Sequence, residues 1–279
     1  MILKAVEKFL VLSIFFCAQT LGIAQDRSER DLQIVRNSTS CTSEARKAFV
    51  LGNSDYRHIE GTRYGVSDAS KVKNRLESLG FCVHYHQNLT LQAFGVAIAR
   101  FMEGLGEGGL ILFYFAGHGV SEDGKNYLIP IDFRPTSEFQ LANSSIDLGA
   151  ITSRFRRYPN LRFVSVIDAC RSPFRRERGN FDDPAMSPMH ASEALFAFGS
   201  DSDKPSFESN QAGGGLFTGQ FLLHLDIPGL EVNALFTSVR RKVLKLSGGK
   251  QHPWVHNGLT QDLVLNDQSR SSVSKESPI

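Results

Sequence analysis

Two apolar runs leave this chain little choice of architecture: Gly109 to Gly119, GLILFYFAGHG, and Leu161 to Arg171, LRFVSVIDACR. Each is too short to span a membrane, which takes about 20 residues. Each is rich in aromatic and β-branched residues and ends in a polar, reactive side chain. A run of this length bounded by glycine or charge reads as a strand buried on both faces, the kind found inside a parallel sheet. One run delivers His118 and the other Cys170 just beyond its carboxyl end. Ligands of open parallel sheets bind at that edge. A thiol and an imidazole carried to one edge are the parts of a cysteine nucleophile with its base.

The rest of the chain alternates in the same style. Arg46 to Asn53 reads as a first strand, closed by Gly52. Ser67 stands as N-cap of a helix from Asp68 to Leu79, with Ala69, Val72, Leu76 and Leu79 at helical spacing. Phe81 to His86 reads as a strand and Leu91 to Met102 as a helix. After the His118 strand, Asp123-Gly124 marks a turn before an extended piece, Asn126 to Ile131. Asp147 to Arg157 is helical, the Cys170 strand follows, and Glu193 to Gly199 is a further short strand. Leu216 to Leu225 and Leu230 to Leu246 are helices, and Pro253-Trp254-Val255 begins a last strand. This order predicts an α/β fold, a mostly parallel central sheet of about six strands with helices on both faces and right-handed crossovers. Arg171 to Met189 and Ser200 to Gly215 read as long loops.

The 279 residues are 41% hydrophobic and 22% charged, with a net charge of +2, so phosphate neutralisation is not what drives binding and no nucleic-acid partner is expected. Residues 1–24 have the layout of a secretory signal peptide: Lys4 and Lys8, an apolar core from Phe9 to Ile23, then small residues. The rival reading is an uncleaved anchor helix, for which the core is short. Residues 25–45 read as a polar linker, and 266–279 as a disordered, serine-rich tail. A cleaved signal implies a secreted or periplasmic protein with no stable membrane span. The mature chain then keeps Cys41, Cys82 and Cys170. Either Cys41 pairs with Cys82 and leaves Cys170 as the odd thiol, or both stay as unpaired buried cysteines.

The chemistry follows from the residue types. A neighbouring imidazole stabilises a thiolate and later protonates the leaving amine. Gly119 lets the backbone approach a substrate carbonyl, so the amides of Gly119 and Cys170 are the natural oxyanion donors. Residues two apart on a strand point the same way, which sets Asp168 on the reacting side of Cys170. A buried carboxylate there selects a cationic partner, arginine or lysine. Arg175, Arg176 and Arg178, in the loop after Cys170, are then candidate self-cleavage points. The histidines at 84, 86, 190, 224, 252 and 256 show no metal spacing, and Gly213-Gly214-Gly215 lacks the lysine and hydroxyl residue of a phosphate loop.

Tyr114 to Gly119, Asn126 to Pro130 and Asp168-Ala169-Cys170-Arg171 resemble the large-subunit region of caspase-family peptidases, nearest to the bacterial orthocaspase and metacaspase branch. The caspase signature Gln-Ala-Cys-(Arg/Gln/Gly)-Gly has its histidine about 50 residues upstream, and His118 stands in that relation to Cys170. Leu51 to Tyr56 and Asp68-Ala69 resemble the opening strand and first helix of the family, and Leu216 through Trp254 its small subunit. The resemblance covers a domain from 46 to 265, with a large-subunit-like part over 46–172 and a small-subunit-like part over 190–265. It implies a caspase–haemoglobinase fold, cysteine endopeptidase activity through a His–Cys dyad, and no organic cofactor. It also implies cleavage after arginine or lysine, because metacaspases, paracaspases and orthocaspases carry aspartate where caspases carry glutamine, and an acidic residue where this chain has Asp68. Arg171-Ser172-Pro173 departs from the metacaspase His-Ser-Gly, which weakens the transfer of calcium activation: the sequence does not support it and leaves it open, and no metal-binding residues are assigned. The alternatives are a catalytically silent caspase-like scaffold, although such proteins usually lose the cysteine or histidine, and an interaction module recruited through the N-terminal arm.

Overall fold

A computed structural model of the chain describes residues 46–135, 141–158, 160–171, 189, 192–200, 208–209 and 213–268, the side chains of 170, 171, 208 and 209 excepted. The expected signal segment, the linker, Cys41 and the three loop arginines lie outside the described residues.

Strand β1 is Arg46–Gly52, helix α1 Gly65–Ser78, β2 Cys82–Gln87 and α2 Leu91–Glu103. Then come β3, Gly109–Glu122, and β4, Lys125–Leu128, followed by α3, Leu141–Ser144, β5, Ile146–Asp147, and α4, Leu148–Phe155. The second half holds β6, Leu161–Arg171, β7, Ala194–Phe198, β8, Glu208–Ser209, β9, Gly214–Gly215, α5, Leu216–Leu225, α6, Val232–Leu246, and β10, Trp254–Asn257. The main sheet runs β10-β7-β6-β3-β1-β2, with β4 and β5 on an extension of β3. Its pairs from β7 to β2 are parallel and β10 is antiparallel to β7. Segments 208–209 and 214–215, within the stretch read as loop, form a short antiparallel ladder.

Both faces of the sheet are buried, as the uninterrupted apolar runs require. On one face Ala48, Val50, Leu110, Leu112, Val164 and Val166 pack under α1, α5 and α6. The other face is aromatic: Phe49 stacks on Phe113 and meets Phe94 and Phe101 of α2 edge-on, and Phe155 of α4 lies against Phe163. Alternate residues of β1 and β3 thus serve opposite layers, each fully buried apolar side chain contributing about 1.5–3 kcal/mol.

Two local expectations change. Helix α1 begins at Gly65 and its N-cap is Tyr64, with no side-chain cap; Ser67 lies in the first turn and its hydroxyl donates to Tyr64 O. The expected cap lost because a serine already inside the turn can only bond back to the preceding carbonyl. Asp147 and Glu231, by contrast, cap α4 and α6 through their carboxylates. Asn266, assigned by composition to the tail, is buried, and its amide donates to Leu225 O.

Candidate active site

Strand β1 ends at Gly52, paired with Ala116, but β3 continues for six residues, 117–122, beyond that pair. The extension folds back through Asp123 and Gly124, φ 49° and 73°, and pairs with β4. Two successive left-handed residues are what a tight hairpin of this kind demands. On its other side the extension stays in register with β6, His118 against Cys170 and Gly119 against Arg171. Adjacent strands lie about 4.8 Å apart. The histidine and cysteine positions, far apart in sequence, are therefore neighbours across one ladder. Both lie inside their strands rather than beyond them, because where β1 stops β3 finds a new partner in β4 and keeps its pairing with β6.

His118 is buried, and its surroundings fix its orientation. Its Nε2 lies 2.8 Å from the carbonyl oxygen of Glu60. The imidazole N–H donates there, which places the proton on Nε2 and makes Nδ1 the basic nitrogen. The backbone N–H of His118 donates to the Tyr56 hydroxyl at 2.8 Å, and that hydroxyl donates to Ile129 O at 3.2 Å. The Tyr56 and His118 rings lie 4.6 Å apart. A β-carbon on Gly117 would stand 2.7 Å from the Tyr56 oxygen, so the glycine before His118 makes room for this clamp. Asn53 holds the loop that carries Tyr56: its amide donates to Ile129 O and its oxygen accepts from Leu89 N.

Two carboxylates converge beside this ladder. Asp168, in register with Ala116, is buried, and its Oδ2 accepts from Thr218 Oγ1 at 2.6 Å and Thr218 N at 3.2 Å. The Thr218 hydrogen is thereby committed, so the Tyr114 hydroxyl, 2.6 Å away, donates to Thr218. Burial pushes the Asp168 carboxyl up to about 6; Asp68 nearby also raises it, while the Thr218 bonds oppose the shift. Asp68, in the first turn of α1, is buried as well. Burial raises its carboxyl, opposed by the Gly215 amide, which donates at 2.7 Å, and by Lys71 at 3.3 Å. The point where a β-carbon on Gly215 would sit is 2.8 Å from Asp168 Oδ2 and 3.0 Å from Asp68 Oδ2. The two buried carboxylates thus converge across the Gly215 backbone, and such a concentration of negative charge suits a cationic partner.

The structure thus brings together the expected residues His118, Gly119, Asp68 and Asp168 with the backbone of Cys170. Spacing alone gave no hint of Tyr56, the Glu60 carbonyl, Thr218 or Gly215. Thr218 lies within a stretch that resembles the family, yet no local pattern says that its hydroxyl meets a carboxylate 50 residues away. Among the described residues no cluster of three or more His, Cys, Asp or Glu side chains is placed to hold a metal ion, and no helix is long and apolar enough to cross a membrane.

The profile of the peptidase C14 family, the Caspase domain, matches residues 45–264. The chain belongs to the caspase-domain family. Human mucosa-associated lymphoid tissue lymphoma translocation protein 1 is 24% identical to this caspase-domain chain over 227 residues, covering 79% of the chain and 26% of the relative. The mouse homologue is 23% identical over the same shares. The chain spans about a quarter of the length of these relatives. Among solved structures, pro-sf-caspase-1 superposes with a TM-score of 0.59 at 17% identity, covering 80% of this chain and 91% of its own. That likeness shows the shared fold, the caspase–haemoglobinase type of α/β sheet.

Proposed function

We propose that this caspase-domain chain is a cysteine endopeptidase that cleaves after arginine or lysine, with Cys170 as nucleophile and His118 as its base. The observation that carries the reading is the β3–β6 register, which sets His118 against Cys170, with Asp168 two residues earlier on the same strand and Asp68 converging on it. His118 Nδ1 takes the thiol proton, and the thiolate attacks the scissile carbonyl. The amides of Gly119 and Cys170 steady the oxyanion. The same imidazole returns the proton to the leaving amine, and water, deprotonated in turn by His118, releases the acyl group and regenerates the thiol. Asp68 and Asp168 take the basic side chain before the cut.

The sequence read alone supports self-processing after Arg175, Arg176 or Arg178, and action outside the cytoplasm as a secreted or periplasmic protein. A disulfide at Cys82 supports the second reading, since such bonds persist in oxidising compartments. The dyad chemistry needs no cofactor or metal.

Fluorogenic peptides ending in arginine, lysine, aspartate or citrulline, offered to the wild type and to Cys170→Ala and His118→Ala, test this. Turnover of the two basic peptides only, lost in Cys170→Ala and lowered at least about a hundredfold in His118→Ala, is the expected result. Equal signal from wild type and Cys170→Ala, or cleavage after aspartate instead, overturns it.

A further inference from the structure

Lys71 belongs to no part of the proposed mechanism, yet it reaches into the acid pair. It lies one turn along α1 from Asp68, and its ammonium stands 3.3 Å from Asp68 Oδ1. The same ammonium donates to Gly213 O at 2.8 Å. A lysine three residues from an aspartate on a helix is ordinarily a solvated surface pair. Here the partner carboxylate is only 4% exposed and the lysine 42%. Both Asp68 oxygens are therefore engaged, Oδ1 by Lys71 and Oδ2 by the Gly215 amide, and Asp168 Oδ2 is held by Thr218. The lysine also ties Gly213, just before the Gly214–Gly215 backbone, to the edge of the cradle where the two acids converge.

We propose that Lys71 is the resident counter-ion of the acid pair and a specificity-determining residue, competing with the basic side chain of a substrate for the charge of Asp68. The inference rests on the basic-residue reading above and deepens it. Two cations cannot both take full advantage of one carboxylate, and the Coulomb energy that Lys71 already draws from Asp68 is unavailable to an incoming guanidinium. The pair is partly solvated, so the competition is modest and is weakened by salt.

The test is steady-state kinetics of Lys71→Met at pH 8, above the titration of Asp168, on arginine and citrulline peptides. Lys71→Met keeps the length and apolar stem and removes the charge. The expected result is a KM for the arginine peptide lower by roughly three- to fivefold, with the effect concentrated in KM rather than kcat. The gap narrows at 0.5 M salt, where the Debye length falls to about 4 Å. The citrulline peptide, isosteric but neutral, gains nothing, and Lys71→Arg returns KM towards the wild-type value. If Lys71→Met unfolds, the wild type against Lys71→Arg and Lys71→Gln gives the same comparison. An unchanged or higher KM with normal wild-type turnover overturns the role of the lysine and leaves the pocket standing. Absence of basic-peptide turnover in the wild type overturns the pocket and this inference together.

Discussion

Asp168 carries the strongest trade-off in the molecule. Its folded-state carboxyl titrates at about 6, against 3.8 for an ordinary aspartate, with burial as the main cause. The neutral acid is the form the fold prefers, so its contribution to stability is full below the ordinary carboxylate range and is lost as pH rises through about 6. Binding of a basic side chain runs the other way, since it needs the ionised form. KM for an arginine peptide should therefore climb as pH falls below about 6, while a citrulline peptide shows no such rise; initial rates from pH 5 to 8 check this. Asp168→Asn removes the buried charge. It is expected to raise KM for the arginine peptide by roughly a hundredfold and to stabilise the fold at pH 8 by something on the order of 3 kcal/mol, an advantage that vanishes at pH 4. Thermal denaturation at the two pH values reads the second effect. His118 illustrates the opposite bargain: Tyr56 and the Glu60 carbonyl spend good hydrogen bonds on holding one ring and one tautomer.

At the scale of elements, the acid pair exists because two glycines let the β9–α5 junction approach α1 and β6. Gly215 is the N-cap of α5 with φ −62° and ψ 138°, a conformation open to any residue. Its glycine is required by space: a methyl there would press on both carboxylates. Gly215→Ala should then fold with a loss of roughly 0.5–1 kcal/mol from the cap itself, plus about 1–3 kcal/mol from crowding. KM for basic peptides should rise about tenfold or more because the methyl pushes both carboxylates out of the arrangement that would receive a substrate cation. A chemical denaturation curve and peptide kinetics on the same preparation separate the two. A normal KM would show that the cradle is not where the basic side chain is held. The β3 extension works by a similar economy of elements: where β1 stops, the hairpin to β4 satisfies the backbone and keeps His118 in register with β6.

At the scale of the molecule, contacts between distant segments close the domain. Arg46, the first residue of β1, lies over the Phe81 ring, 4.3 Å from its centre, pairs with Asp267 at 2.8 Å and donates to Leu265 O. Cys82, at the start of β2, is disulfide-bonded. This favours the paired reading of Cys82 over an unpaired buried thiol. Cys82→Ser is expected to lower stability by roughly 2–4 kcal/mol without changing peptide KM, and the difference should disappear in excess reductant; thermal melts with and without reductant check it. Much of the fold is legible in the sequence. The buried strands around His118 and Cys170, the flanking helices and the Asp-Gly hairpin follow from patterns that act over a few residues, where burial of each apolar run and the φ freedom of a turn are local matters. The partners of the polar groups were not legible. That Thr218 rather than water satisfies Asp168, that Tyr56 and the Glu60 carbonyl orient His118, and that Lys71 shares Asp68 were decided only when packing removed those groups from solvent and left each with the hydrogen-bond partners that the other elements happened to present.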